Sequence, residues 1–341
     1  MQVNNFPDRV IQGENESYIY FGGTSYLGMS TLPEFQEQLF ESLKQWGTSY
    51  GSSRNSNIKL QVYSDFENQF SAFVGASSAL AVSSGTLAGK LVLDYFSRTY
   101  RRIYHYPMSH PAILVKESMP LYNGNSLNPE LLSNTAEEIV IVLDAVLSSQ
   151  VKPTSLEFLN HIPAQKQITL VIDESHSLGI VGNEGRGIFS SIKAPNINRK
   201  ILVASMAKAL GLSAGVIASD KETIDALGQE ISFVSSSGAN PAYLDTYMKS
   251  DRLYAEQRKK LKENLEIFFK GVELPADFKY EKNYPVIYCE QRGVYERLLE
   301  ENMVIANFKY PNYKEQLSRI VISANHTKSD LSKLKNVLIN L

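Results

Sequence analysis

The chain has 341 residues, a formal net charge of −2, 43% hydrophobic residues and one cysteine, Cys289. This length predicts about two domains around a substantial core, and the near-neutral charge without a basic face argues against a nucleic-acid partner. The lone cysteine excludes an internal disulfide and Cys-x-x-Cys sites, and no apolar run reaches the ~20 residues of a membrane span, so we expect a cytoplasmic protein.

Short apolar runs separated by helix-length segments extend from about residue 59 to residue 235. These runs are Ala79–Val82, Ile103–Tyr106, Ile139–Leu143, Thr169–Ile172, Ile201–Ala204 and Gly215–Ala218. Runs that are apolar at successive positions are typical of strands buried on both faces of a parallel sheet. We therefore predict an α/β fold with a mostly parallel sheet in a large ligand-binding domain over residues 46–240.

The pattern changes after Pro241, where an amphipathic helix is predicted to continue to Lys270. The following elements are strands and turns within GVELPADFKYEKNYPVIYCE, a short helix near Val294–Asn302, a strand at Arg319–Ser323 and a last helix from about Ser329. These elements predict a smaller α+β domain over residues 241–341. Residues 1–45 are expected to pack with it as an N-terminal segment.

Polar residues follow five of the six apolar runs at the point where each strand should end. They are Ser84, Gly85 and Thr86, then His110, then Asp144 and Ser148, then Asp173 and His176, and finally Ser205 and Lys208. Ligands of open α/β sheets bind beyond the carboxyl ends of the strands. Each residue has an ordinary explanation on its own, such as helix capping by Ser84. The coincidence of five strand ends favours one shared site.

The residue types of this set indicate which ligand it could bind. The chain lacks GxGxxG and GxxxxGK[ST], which leaves a dinucleotide or P-loop nucleotide unsupported, and no cluster has the spacing of a structural zinc site. Pyridoxal phosphate needs a lysine amine for its aldehyde, a carboxylate for its ring nitrogen and a helix N-terminus with hydroxyl groups for its phosphate. The set contains all of these groups.

Two segments carry a resemblance to a known family. The segment VIDESHSLGIVGNEGRG (Val171–Gly187) resembles VDEAHSxGxxGxxGRG of the α-oxoamine synthases, and SMAKALGLSAG (Ser205–Gly215) resembles their segment around the cofactor-binding lysine. Shorter matches in the same order are TSYLGMS, YGSSR, MSHPAI and SRIVISANHT, so that the resemblance covers nearly the whole chain. It implies the fold of fold-type-I pyridoxal-phosphate transferases and condensation of an amino acid with an acyl thioester, as in 8-amino-7-oxononanoate synthases.

The resemblance also implies a role for each matched residue. Lys208 would bind the cofactor aldehyde and move protons, Asp173 would pair with the ring nitrogen, and His176 would bind the ring oxygen. His110 would stack on the ring, and Ser84, Gly85, Thr86 and Ser205 would hold the phosphate. Ser237, or its neighbour Ser236, would reach the phosphate of a neighbouring subunit in a homodimer with shared active sites. Arg319 would bind the substrate carboxylate, with Ser148 near the ring oxygen or the acyl carbonyl.

Departures from the family pattern leave other functions open. Thr86 replaces an aromatic residue, the segment after Ser148 reads SQVK instead of a Met-Asp-Gly-Asp type sequence, and Val321 replaces the second closing arginine. An aminotransferase, or other chemistry at the amino-acid Cα, is the main alternative. A cofactor-binding protein without catalysis is the other, although Lys208, Asp173 and His176 argue against it.

Overall fold

The computed structural model describes residues 2–13, 16–308 and 317–341. The strands in chain order are β1 (Val10–Gln12), β2 (Ser17–Phe21), β3 (Ser78–Val82), β4 (Ile103–His105), β5 (Met119–Pro120), β6 (Tyr122–Asn123), β7 (Ser126–Leu127), β8 (Glu137–Asp144), β9 (Lys166–Asp173), β10 (Ile197–Ser205), β11 (Gly215–Ser219), β12 (Phe278–Tyr280), β13 (Val286–Cys289), β14 (Met303–Phe308) and β15 (Leu317–Val321). The α-helices are α1 (Pro33–Trp46), α2 (Gln61–Val74), α3 (Gly85–Thr99), α4 (Lys221–Leu227), α5 (Ile231–Val234), α6 (Pro241–Met248), α7 (Asp251–Phe269), α8 (Val294–Glu300) and α9 (Lys328–Leu338). Single 3-10 turns lie at Met29–Thr31, Pro111–Ile113, Pro129–Leu132, Glu157–His161, Asn183–Gly185 and Phe189–Ser191.

The larger sheet has the strand order β3-β11-β10-β9-β8-β4-β5. Strand β11 is antiparallel to both of its neighbours, and the strands from β10 to β5 are parallel. Its residues alternate between two apolar layers. Ile139 and Ile141 of β8 belong to one layer, whereas Val140 and Val142 pack in the layer beneath α3. Burial on both faces explains the continuous apolar runs, and all six predicted strands are confirmed in this sheet.

The helix predicted from Pro241 to Lys270 is wrong as a single element, because α6 ends at Met248 and α7 begins at Asp251. The hydroxyl groups of Thr246 and Ser250 donate to the main-chain oxygens of Ala242 and Thr246, each at 2.7 Å. Such bonds compete with regular helical bonding and bend helices. The apolar spacing continues across the break, which is why the sequence pattern favours one helix.

The smaller sheet has the order β1-β2-β14-β15-β13-β12. Strand β2 from the N-terminal segment runs parallel to β14, and the other neighbours in this sheet are antiparallel. The strand predicted at Arg319–Ser323 lies two residues earlier, at Leu317–Val321, and the predicted helix at Val294–Asn302 ends at Glu300. The domain limits at residues 45 and 240 stay a prediction. None of the helices in the described ranges is long and apolar enough to cross a bilayer.

Candidate active site

The candidate site lies at the carboxyl ends of the parallel strands. Asp144 ends β8, Asp173 ends β9, and the two residues are paired in register, with the Ala145 N–H donating to the Asp173 main-chain oxygen at 2.8 Å. Residues paired in register on neighbouring strands project their side chains from the same face. Two acids therefore leave the sheet side by side, and both are buried.

An anion-binding end is formed where α3 begins. Ser84 caps the helix by accepting the Leu87 N–H at 3.1 Å, while the first N–H groups of a helix have no partner within it. A Cβ on Gly85 would lie 2.6 Å from the Ser205 Cβ, so only glycine allows this close contact. The Ser205 N–H donates to the Ser175 hydroxyl at 2.8 Å, which connects the end of β10 to the loop after β9. This corner of the site suits a phosphate.

Lys208 follows β10 on a turn facing the two acids. Burial lowers the pKa of the Lys208 amine, Asp173 and Asp144 partly oppose that change, and Arg319 adds to it. A lowered pKa increases the uncharged fraction of an amine, which is the form that attacks a carbonyl. Asp173 itself is 7% exposed, and its Oδ1 accepts the Ser175 N–H at 2.8 Å. Lys208 and Asp173 thus bring a nucleophile and a buried carboxyl group within electrostatic reach of each other.

His176 is held from two sides in the loop after β9. Its Nδ1 hydrogen-bonds the Tyr26 hydroxyl at 2.9 Å, and its main-chain oxygen accepts the Tyr284 hydroxyl at 3.1 Å. Burial, and then the positive charges of Lys208 and Arg319, hold the pKa of His176 well below its usual range. The imidazole is therefore neutral at physiological pH, with its orientation fixed by Tyr26.

His110 lies in the loop after β4. Its Nδ1 accepts the Ala112 N–H at 3.1 Å, and its own main-chain N–H donates to Asp144 Oδ2 at 3.0 Å. Burial lowers the pKa of His110, Asp173 opposes this effect, and Lys208 adds to it. The electrostatic influence of Asp173 and Lys208 on His110 places all three groups in one cluster.

The loop from Asp173 to Phe189 explains the composition of the longest sequence motif. Glu174 turns away from the site, and its Oε1 accepts the Ile188 and Phe189 N–H groups at 2.9 and 2.8 Å, while the Ser177 hydroxyl binds its Oε2. Burial raises the pKa of Glu174 to about 7. Gly187 has φ +80°, and a Cβ there would lie 2.4 Å from Glu174 Oε2. The acid and the glycines of the motif fold the loop that carries His176.

Arg319 reaches the site from the smaller sheet. It is 6% exposed, and its Nη2 donates to the Gly23 main-chain oxygen at 3.2 Å. Tyr288 is opposite Arg319 in the β13–β15 register, and the Tyr288 hydroxyl donates to the Ser148 main-chain oxygen. The positive charge of Arg319 lowers the pKa of Lys208 and of His176, so its guanidinium lies within electrostatic range of both groups.

The other predicted site residues lie at the edge of this cluster. Thr86 is exposed at the start of α3, and Ser148 is half-buried in the loop after β8. Ser237 is exposed between α5 and α6, and within the described parts of the chain it makes no hydrogen bond to Asp173, His176 or Lys208. A contact between Ser237 and a second subunit stays a prediction.

Sequence reasoning missed three residues that contact the site, Tyr26, Tyr284 and Tyr288, and it placed Asp144 among the strand-end residues without giving it a role. Tyr26 is part of the TSYLGMS match, and Asp144 follows an apolar run, so both had a local signal. Tyr284 and Tyr288 contact residues 108 and 140 positions away in the chain. No local pattern indicates such contacts.

The donor set fits pyridoxal phosphate on chemical grounds. Lys208 supplies an amine with a lowered pKa, Asp173 supplies a buried carboxylate, and the start of α3 supplies main-chain N–H groups. Glycine at position 85, where any Cβ would collide with Ser205, lets the end of β10 pack against the start of α3, so that Ser205 lies next to the helix N-terminus.

Comparison with known proteins agrees with this site and fold. Residues 18–338 match the family described as Aminotransferase class I and II. The chain is 24% identical to 8-amino-7-oxononanoate synthase of Saccharophagus degradans, over 96% of this chain and 88% of that protein. The structure of Sphingomonas wittichii serine palmitoyltransferase has a TM-score of 0.82 at 18% identity, covering 99% of this chain and 91% of that chain. A structure of SPT with PLP has a TM-score of 0.79 at 19% identity, covering 99% and 90%.

Proposed function

Because the chain belongs to the class I and II aminotransferase family, we propose that it condenses an amino acid with an acyl thioester to an α-amino ketone. The resemblance to the α-oxoamine synthases is confirmed by the matched relatives, which are named for two members of that group. The observation that supports the proposal is at the end of β10, where Ser205 packs against Gly85 at the start of α3 and Lys208 follows within electrostatic reach of buried Asp173.

The cofactor is pyridoxal phosphate, which supplies the electron sink that stabilises a carbanion at the substrate Cα. Lys208 would hold its aldehyde, and the Asp173 carboxylate would hold a proton on its ring nitrogen. Gly85, Thr86 and Ser205 would bind the phosphate, with Ser84 capping the helix. His110 would lie against the ring, and His176 would bind the ring oxygen.

The substrate would be oriented by residues that the fold brings from both sheets. Arg319 would bind the substrate carboxylate through two parallel N–H bonds, a geometry that lysine cannot provide. Lys208 would remove and return a proton at Cα, because its lowered pKa suits general base chemistry near neutral pH. Ser148 would lie near the ring oxygen or the acyl carbonyl.

The 8-amino-7-oxononanoate synthase type, which uses alanine in biotin synthesis, is the specific activity we propose. Its support is the curated relative of that name, which covers 96% of this chain. The enzyme would act in the cytoplasm as a homodimer in which Ser237 reaches the phosphate bound by the partner.

Product analysis tests the condensation. Purified enzyme with pyridoxal phosphate is mixed with alanine and a panel of acyl-CoA thioesters, and free CoA and carbon dioxide are measured. We expect both products in equal amounts, and Arg319→Lys should raise KM for the amino acid.

A competing aminotransferase is favoured by Thr86, which departs from the aromatic residue of the condensing enzymes. Amino exchange that depends on a keto acid and releases no CoA would support that alternative and exclude the condensation.

A further inference from the structure

The proposed chemistry needs one carboxylate, yet the site contains two. Asp144 ends β8 beside Asp173 and is buried. Its main chain is fixed, because the Thr154 hydroxyl donates to the Asp144 oxygen at 2.6 Å and the adjacent Ala145 N–H donates to Asp173 at 2.8 Å. A second acid at a rigid strand end needs its own explanation, since burying a charged group without compensation is costly.

The loop that carries His110 provides that explanation. It leaves β4 at His105 and contains Met108, whose φ of +64° is in the left-handed region. A residue with a side chain rarely adopts this conformation, and it persists where the surroundings hold it. The Ser109 N–H donates to the Tyr106 oxygen at 3.2 Å, which closes a tight turn but leaves the position of His110 to other contacts.

Asp144 makes the contact that fixes His110. The His110 N–H donates to Asp144 Oδ2 at 3.0 Å, so that the carboxyl at the end of β8 holds the main chain of the neighbouring loop. The His110 ring is then turned back by the Ala112 N–H, which donates to Nδ1 at 3.1 Å. The position of the ring therefore follows from the position of its own main chain.

We propose that Asp144 is a positioning residue that sets the His110 ring against the bound cofactor by accepting the His110 main-chain N–H. This inference rests on the proposed cofactor site, in which His110 lies against the cofactor ring. Asp144 acts through His110 and needs no contact with the substrate.

The charges around Asp144 indicate which substitution would preserve this role. Burial and the neighbouring Asp173 raise the pKa of Asp144 well above its usual range, and the His110 N–H and Lys208 oppose that rise. A neutral carboxyl accepts the N–H through its carbonyl oxygen. An asparagine has the same shape and the same acceptor, whereas alanine has neither.

Circular dichroism of the bound cofactor tests the proposal without requiring turnover. The variants are Asp144→Asn, Asp144→Ala, His110→Ala and the double variant Asp144→Ala with His110→Ala. Asp144→Ala should lose at least half of the cofactor dichroism per bound molecule and raise the cofactor Kd about tenfold, because a buried N–H loses its acceptor. Asp144→Asn should keep most of the signal. If Asp144 acts through His110, the double variant should be no worse than His110→Ala.

Control variants separate positioning from a general loss of structure. Glu138→Ala removes an exposed acid from the same strand and should leave the cofactor dichroism unchanged. Asp144→Val, which also lacks an acceptor but fills more of the space, replaces Asp144→Ala if that variant does not fold. Unchanged dichroism in Asp144→Ala, additive losses in the double variant, or no effect of His110→Ala would each overturn the proposal. Loss of condensation with the expected dichroism pattern would instead count against the proposed function alone.

Discussion

At the scale of single residues, the site places ionisable groups close together where burial excludes the water that would otherwise screen them. Lys208 lies near Asp173, Asp144 and Arg319, and burial outweighs the two acids so that the lysine pKa falls. The same burial lowers the pKa of His110 and His176. The result is a site with neutral imidazoles around one reactive amine.

The charge on Asp173 is the first property that mutation can test. Asp173→Asn keeps an oxygen that can accept the Ser175 N–H, now at 2.8 Å, so the fold and cofactor binding should persist. A neutral partner no longer holds a proton on the ring nitrogen, and kcat should fall by about 10² to 10⁴. Steady-state kinetics together with cofactor absorbance measure both quantities. Near-normal turnover in a fully loaded variant would place the ring-nitrogen partner elsewhere.

The hydroxyl of Tyr26 offers a second test at this scale. Tyr26→Phe removes the 2.9 Å bond to His176 Nδ1 without changing the shape of the ring. A buried nitrogen that loses its partner costs about 1 to 3 kcal/mol, so kcat/KM should fall by roughly five- to 150-fold. Tyr104→Phe removes the hydroxyl of another buried tyrosine, which donates to Glu130 Oε2 at 3.3 Å, and serves as the control because neither residue belongs to the candidate site. Equal losses in both variants would indicate general destabilisation.

At the scale of elements, the loop after β9 shows why the sequence motif was informative and where it was incomplete. The motif predicted Asp173 and His176 from their position after an apolar run. It did not indicate that Glu174 would accept hydrogen bonds from the Ser177 hydroxyl and from the Ile188 and Phe189 N–H groups, because these contacts depend on the folded path of the loop. Strand positions were predictable because burial on both faces leaves a local signal, whereas loop paths depend on distant contacts.

The glycine requirement of this loop gives a stability prediction. Gly187→Ala should lower the free energy of unfolding by about 2 to 4 kcal/mol, because it adds backbone strain at φ +80° and a collision with Glu174. Gly124→Ala is the matched control, since Gly124 also has a positive φ, +63°, but has open space around its Cβ position. It should cost only about 1 to 2 kcal/mol. Urea unfolding of both variants measures the difference, and equal costs would show that the Glu174 contact is unimportant.

At the scale of the whole molecule, two distant parts of the chain close over one site. Strand β2 joins the smaller sheet beside β14. Tyr288 of β13 and Tyr284, just before that strand, contact the loops that follow β8 and β9 of the larger sheet. The sequence predicted an α/β region followed by a smaller α+β region. It could not predict which tyrosines connect them, because their partners are more than 100 residues away.

The joint between the N-terminal and C-terminal segments depends on His326. Its Nδ1 accepts the Ser323 N–H at 2.8 Å, and its Nε2 lies 3.0 Å from the Tyr20 main-chain oxygen, to which it donates. The ring stacks on Phe21 of β2, with 4.2 Å between ring centroids. The neutral ring uses both nitrogens in hydrogen bonds. Protonation would add a proton to Nδ1, at which the Ser323 N–H already points.

Acid should therefore weaken this joint. Burial lowers the pKa of His326 to about 4, whereas an unfolded histidine has a pKa near 6.5. The unfolded chain takes up a proton first, so the stabilisation is complete above pH 6.5 and is lost as pH falls from 6.5 to about 4, by about 3 kcal/mol in total. Glu174 acts in the opposite direction, because its pKa of about 7 favours the folded state as pH falls from 7 to about 4.5. Urea unfolding of His326→Gln and of the natural chain across this pH range isolates the contribution of His326. The variant should have the lower free energy of unfolding at pH 7. The difference in free energy between the two proteins should shrink by most of about 3 kcal/mol by pH 4. A difference that does not change with pH would mean that His326 is not held neutral by the fold.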